Sequence, residues 1–467
     1  MNRSGLLALL CVAQLMVILD ISAVNVALPD MAADLGIARS DVAWTITSYS
    51  LVFGSLLLLG GRAADLLGRR RVFLAGLGVF TTASLASALA GSAGTLFAAR
   101  AAQGLGAAML SPAALAILTA SFTGGRERTR ALGAWGAVAG AGAAIGVLLG
   151  GALTELAEWR AIFLVNVPVG AALAAAAARA VPADAAPPRF RGLDMRGAAL
   201  ATASFGALVY ASSQAVDAGW TSAQTLGLGA AGLGGLAAFA ALELRTAEPL
   251  LRVQRLADRA VGGGALMMLA VSAVMFGIFL LTSIYMQEVL GAGALETGLA
   301  FLPVALATAA GAHAGGHVVR HLGVRVPMAV ALAVAAGGLL LLAGVGEDGG
   351  YAADVLPGMV VAGAGLGVAV VCVGVAVLSG AREREAGMLS GLNTTGHELG
   401  GSLGVAVLVT IATTGVANTG ELAGGLGDAY LAAAVLAATA SVLALAVLPP
   451  ARSFLPRLRL APSMPMH

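Results

Sequence analysis

The chain has 467 residues, 59% of them apolar and 11% charged, with a mean hydropathy of +0.92 and a formal net charge of +2. A soluble domain carries roughly 25% charged residues, so the composition excludes a water-soluble fold and places the chain in a bilayer, while the small net charge argues against a nucleic-acid partner. Cys11 and Cys372 both fall in apolar runs, which excludes a disulfide framework and a thiolate metal site, and no cofactor site emerges from the other residues.

The first apolar run, Gly5 to Ala27, contains Asp20 and Asn25 within "MVILDISAVNVALPD". It is too long for a cleaved signal peptide and reads as a retained span. A span needs about 20 apolar residues, and the scan predicts fourteen: 5–28, 42–61, 71–91, 94–122, 131–153, 160–181, 195–215, 222–242, 261–286, 297–319, 326–345, 352–379, 388–415 and 428–448. Every basic residue other than the histidines is arginine. Of the 26 arginines, 23 fall in the termini and the even-numbered loops, such as "GRAADLLGRRR", "TGGRERTR" and "AREREA". Cytoplasmic loops retain positive residues, so both termini are expected in the cytoplasm. Trp44, Trp159 and Trp220 fall at the opposite helix ends, as interfacial aromatics.

Formal charges inside spans reduce to Asp20, Arg100 and Glu398. Ionisable groups within a membrane are costly and functional by default. Asp20 and Arg100 are expected at comparable depth in the outer half. There burial and a nearby cation act oppositely on a carboxyl, as a group that exchanges protons requires. A structural alternative is hydrogen bonding of Asp20 to Asn25 or Gln103. Glu398, after His397 and among Gly396, Gly400, Gly401 and Gly404, reads as a second proton site or a contact for a cationic substrate. His313 and His317 lie one turn apart without a carboxylate partner, which favours pore-lining or packing residues over a metal pair.

An internal repeat aligns Gly61, Gly68 and Arg70 of "GRAADLLGRR" with Gly316, Gly323 and Arg325 of "GHVVRHLGVR". Two related six-span halves with a pair between them fit this pattern, with the solute site near the midplane. The expected divisions are an N-terminal bundle over 1–181, two added spans with linkers over 182–258, and a C-terminal bundle over 259–467.

"LDISAVNVALP", "GRAADLLGRRR", "RAAQGLGAA", "WRAIFLVNVPVG" and "GLNTTGHELGGSLGVAV" together, in order and spacing, resemble the fourteen-helix drug:proton antiporters (EmrB/QacA type) of the major facilitator superfamily, from about residue 15 to 450. The resemblance implies an all-α membrane protein of that fold, with two six-helix bundles and two extra central helices. It implies a proton-coupled efflux transporter for small amphipathic compounds in the bacterial inner membrane, with an uptake symporter as the alternative. Asp20 and Arg100, with Glu398, would couple protons. Asn25, Gln103, Asn393 and His397 would line the substrate cavity. Gly61, Asp65, Gly68, Arg69 and Arg70 would form a cytoplasmic gate. Gly142, Gly146, Gly150 and Gly151 match the family's small-residue packing motif, except that Val147 stands where a proline is expected. The expected partners are a small-molecule substrate, protons and lipid, with the chain acting as a monomer and binding no metal. The sequence contains no Gly-Lys-Ser/Thr phosphate loop, which argues against ATP as the energy source. A non-transporting receptor would leave the intramembrane acids unexplained, and no nucleophile–base constellation supports an enzyme.

Overall fold

Helices that are apolar all round have no face to give to water, and they pack instead by bringing backbones close at small residues. In a computed structural model the described residues are 3–37, 41–42, 44–122, 125–184, 194–247, 249–378, 385–414 and 418–459, and every regular element among them is helical. The first half contains α1 (Arg3–Leu35), α2 (Trp44–Leu67), α3 (Arg69–Ala88), α4 (Ala93–Ser121), α5 (Gly125–Ala157), α6 (Arg160–Leu164) and α7 (Asn166–Ala180). Then come α8 (Met195–Ala218) and α9 (Ala223–Glu243). The second half contains α10 (Arg259–Ile284), α11 (Ala294–Ala300), α12 (Leu302–Leu322), α13 (Arg325–Leu342), α14 (Leu356–Leu378), α15 (Ala386–Thr413) and α16 (Thr419–Val447), followed by the short α17 (Ala451–Arg459).

Among the described residues, twelve helical stretches are long and apolar enough to cross a membrane. The expectation of fourteen spans is met in twelve. The helices over the fifth and seventh expected spans, α5 with 33 residues and α8 with 24, stand outside that set.

Local chemistry sets several helix starts. Ser92 and Thr95 form a capping box at the head of α4, and Asp194, Ser222, Asp258 and Asn418 cap α8, α9, α10 and α16. The repeat seen in sequence reappears in the packing. In the first half α2 and α3 lie on α4, α1 on α5, and α3 on α7. In the second α12 and α13 lie on α14, α10 on α15, and α13 on α16. The halves meet where α2 packs on α15 and α5 on α12. Gly68 (φ 106°) and Gly323 (φ 69°), paired in the sequence repeat, both adopt the left-handed region at equivalent helix junctions, where a side chain would be strained. One expectation changes here: Trp159 is buried (3% exposed) rather than interfacial. His313 and His317 are exposed, which removes packing, one of the two roles expected for them.

Close approach predicts which glycines tolerate a side chain. A Cβ on Gly60 would sit 2.0 Å from the Ala108 carbonyl oxygen, whereas one on Gly78 would meet nothing within 4 Å. Gly60→Leu is expected to push α2 off α4 and cost about 1–3 kcal/mol, lowering the thermal unfolding midpoint in detergent, with Gly78→Leu unchanged within error.

Candidate functional site

Asp20 lies on α1, in the half of the bundle remote from the arginine-rich helix ends, and its side chain is fully buried. Arg100 of α4 donates to its Oδ2; Gln103 of α4 and Asn166 of α7 both donate to its Oδ1 at 2.9 Å. Arg100 is equally well satisfied. Its Nε donates to the Thr45 carbonyl at 3.1 Å, another nitrogen donates to Gln103 Oε1 at 2.9 Å, and the guanidinium lies 4.5 Å from the Tyr49 ring centre. Gln103 is held by Ser84 (2.8 Å) and Ser87 (3.1 Å) of α3. Hydrogen bonds to charged groups contribute about 1.5–3 kcal/mol each, and a buried ion pair persists only when both charges are satisfied in this way. Gln103 therefore belongs to the ion-pair network and not to the cavity expected to hold substrate. The side chains of Asn25 and Val147 lie outside the described residues.

The stretch "WRAIFLVNVPVG" fastens α1 at two levels. Trp159 Nε1 (3.2 Å) and Arg160 (2.7 Å) donate to Asp34 Oδ2 near the end of α1, while Asn166, after the break between α6 and α7, reaches Asp20. The Arg160 guanidinium, and then the Trp159 indole N–H, hold the Asp34 carboxyl below its ordinary range. That support is therefore complete at neutral pH and is lost only as acid protonates the carboxyl. On the other flank of α1, Gly142, Gly146 and Gly150 of α5 lie against Leu15, Ile18, Leu19, Ser22 and Ala23; a Cβ on Gly146 would sit 1.8 Å from Ser22 Oγ. Gly151 is buried on the same helix.

At the arginine-rich end, Asp65 of α2 crosses to the other half. Its Oδ1 and Oδ2 accept from the backbone N–H groups of Gly387 and Met388, both at 2.9 Å, in the first turn of α15. A carboxylate on a helix N-terminus satisfies orphan donors and the helix dipole together. Gly61 permits the approach, since a Cβ there would lie 2.2 Å from the Gly387 carbonyl. Arg69 braces Asp65 at 3.7 Å. The remaining residues expected at this gate stay within the first half: Gly68 lies against Asp184, and Arg70 donates to Asp184 and to the Ala178 carbonyl. Sequence spacing grouped five residues; among the described contacts Gly61 and Asp65 cross to the other half, while Gly68 and Arg70 meet Asp184 in their own.

Glu398 is half-buried on α15 with its Cβ facing Gly54 of α2, and among the described residues it makes no hydrogen bond or ion pair. Tyr49, fully buried with an unpartnered hydroxyl, lies within electrostatic reach of Asp20, Arg100 and Glu398. A separate cavity, open at its mouth, lies between the halves, and its lining includes Gln14, Ser111, Trp135, Met268, Asn393 and His397.

With this geometry in view, comparisons with known proteins fix the family. The family model described as the Major Facilitator Superfamily matches residues 10–405. This chain is a member of the Major Facilitator Superfamily. It is thus a multi-pass membrane transporter and not an enzyme. The transporter is 41% identical over 449 residues to the cephamycin export protein CmcT of Amycolatopsis lactamdurans, covering 95% of this chain and 91% of that one. It is 39% identical to the puromycin resistance protein pur8 of Streptomyces alboniger, covering 88% and 81%. The crystal structure of the human organic anion transporter MFSD10 (TETRAN) shares the fold with a TM-score of 0.68 at 17% identity, covering 95% of this chain and 100% of that one.

Sequence reading missed Asn166, Tyr49, Gln14, Ser111 and Trp135. Two of them carried a legible signal: Asn166 stands inside a quoted motif, and Gln14 is a polar residue within the first apolar run. The transporter's two intramembrane acids should respond differently to neutralisation. Asp20→Asn leaves Arg100 buried without its counter-charge, and breaking such a pair costs about 3–5 kcal/mol; Asn166→Ala removes one donor, at about 1–3 kcal/mol. Glu398→Gln removes no bond. Thermal unfolding in detergent is expected to rank them in that order, with Glu398→Gln indistinguishable from the parent.

Proposed function

We propose that this transporter exports small amphipathic compounds from the cytoplasm in exchange for protons, by alternating access of the cavity between its halves. The observation that carries the reading is the Asp20–Arg100 pair, sealed from solvent on α1 and α4. A buried ion pair contributes little net stability over apolar packing, so its use here is as a switch. Protonation of Asp20 discharges the carboxylate and frees Arg100, and α1 carries that change about 9 Å along its axis to Gln14 in the cavity wall. Glu398, without an ion-pair partner among the described residues where α2 meets α15, either carries a proton or faces a cation, because a lone charge there is costly. The names of CmcT and pur8, an export and a resistance protein, support outward transport.

In this reading both termini face the cytoplasm, as the arginine distribution supports, in the inner membrane of a bacterium. α5 and α8 complete fourteen crossings of the drug:proton antiporter type. The halves that rock are residues 1–181 and 259–467, with 182–258 carrying the added pair, and the chain works as a monomer. Asp65 on the head of α15 is the cytoplasmic latch. Each proton moving inward across 100 mV supplies about 2.3 kcal/mol, enough for roughly a 50-fold gradient of a neutral compound.

Everted vesicles test the exchange. Adding a transported compound is expected to discharge a preformed proton gradient, and Asp20→Asn and Glu398→Gln to abolish that discharge and uphill accumulation alike. Uphill pumping by Asp20→Asn overturns the coupling, and solute moving in the same direction as the proton converts the exporter to a symporter. For the latch, Asp65→Ala removes a cap worth about 1 kcal/mol, or about fivefold in population. Spin labels at positions 71 and 321 are expected to report a longer separation in that variant.

A further inference from the structure

The lining of the cavity contains an answer about its cargo, resting on the reading that this cavity is the transport site. Among the described residues its lining contains no aspartate, glutamate or arginine. Ser111 donates to Gln14 Oε1 at 2.8 Å, which among the described residues leaves the Gln14 amide N–H groups uncommitted. His397 is tied through Nδ1 to Ser272 (2.6 Å) and set edge-on to Phe276 (5.1 Å). Asn393 is the exception to this self-satisfaction. It is 7% exposed, it lines the cavity, and its side-chain carbonyl has no hydrogen-bond partner. A buried carbonyl oxygen without a partner costs about 1–3 kcal/mol, a penalty that a ligand supplying a hydrogen-bond donor relieves.

The intramembrane charges lie elsewhere. Asp20 and Arg100 neutralise one another in their own network, and Glu398, although next to His397 in sequence, faces Gly54 of α2; none of the three is among the lining residues. A permanent cation entering the cavity would lose its hydration without meeting a counter-charge in the wall. The remaining wall, Trp135, Met268, Leu115 and their neighbours, suits an apolar or aromatic body.

We propose that the cavity selects uncharged amphipathic compounds, held through an amide- or hydroxyl-like group by Asn393 and Gln14 with an aromatic portion against Trp135. Glu398 is reserved for the coupling ion and does not contact the cargo. Selection thus runs against quaternary cations.

Equilibrium dialysis of the purified full-length chain in detergent tests this. The probes are a set of uncharged aromatic amides, chloramphenicol among them, each set against a permanent cation of similar size such as tetraphenylphosphonium. Saturable binding of uncharged members at least tenfold tighter than the cations is expected. Asn393→Ala is expected to weaken them about tenfold, and Asn393→Asp to shift the preference toward cations. Because the Asn393 side-chain carbonyl has no hydrogen-bond partner among the described residues, both variants should remain monodisperse, and their thermal midpoints verify this. Equal or tighter binding of the cations, no saturable binding of any uncharged member, or an Asn393→Ala variant that binds as the parent does overturns the proposal. The assay uses no proton gradient. A selective cavity in a chain that shows no proton-driven efflux therefore sinks the export reading alone, and proton-driven efflux without this selectivity sinks only the present inference.

Discussion

The Asp20 carboxylate, held by donors from α4 and α7 in a region that water does not reach, is the constraint around which the first half is arranged. A charge at that depth is tolerable only if its partners arrive from the surrounding helices. Each partner therefore fixes a helix: Arg100 and Gln103 fix α4, Asn166 fixes α7, and Ser84 and Ser87 bring in α3 through Gln103. Thr45 and Tyr49 add α2 through Arg100. The glycine stripe of α5 supplies the other flank of α1 without any polar contact, because its backbone can lie directly on Leu15 to Ala23. Five helices are thus placed around α1.

The repeat is faithful in geometry and unequal in chemistry. Gly68 and Gly323 make the same left-handed turn at equivalent junctions, yet the residue three positions before each is Asp65 in one half and Arg320 in the other. Asp65 caps α15 across the interface, whereas Arg320 turns back onto the Gly316 carbonyl of its own helix. A carboxylate suits a helix N-terminus and a guanidinium does not. Arginine instead serves a helix C-terminus, and Arg128 of α5 does so by donating to the Leu378 carbonyl at the end of α14. The first half therefore grips the end of α14 with a cation and the start of α15 with an anion. Two halves with one fold acquire a directional fastening through which groups sit at equivalent places.

The added helix α8 touches both halves. Thr202 donates to the Ser55 carbonyl of α2, while Ser212 and Trp220 bond Ser402 and Thr410 of α15. It carries no formal charge within its core and acts by lying across the seam. Trp220, placed by sequence among the interfacial aromatics, uses its indole N–H for this contact.

The sequence by itself determined the membrane class, the sequence positions of the apolar helices, the three intramembrane charges and the paired glycines, because hydropathy, charge placement and left-handed turns are properties of single segments. It also singled out Asp20 and Arg100, since ionisable residues stand out against an apolar background. Tertiary structure decided what those residues meet. Spacing along the chain does not say that Asn166 reaches Asp20 from 146 positions away, that Gln103 serves the ion pair and not the cavity, or that Arg70 stays in its own half while Asp65 crosses. Trp159 illustrates the reason: its place at a helix end suggested an interface, but burial depends on which neighbours cover that end, and an apolar cluster that includes Ala27 and Met31 of α1 does. Local rules settle conformation and insertion; partners are settled by packing, where a few ångströms of backbone approach at glycine decide which polar groups come within bonding distance.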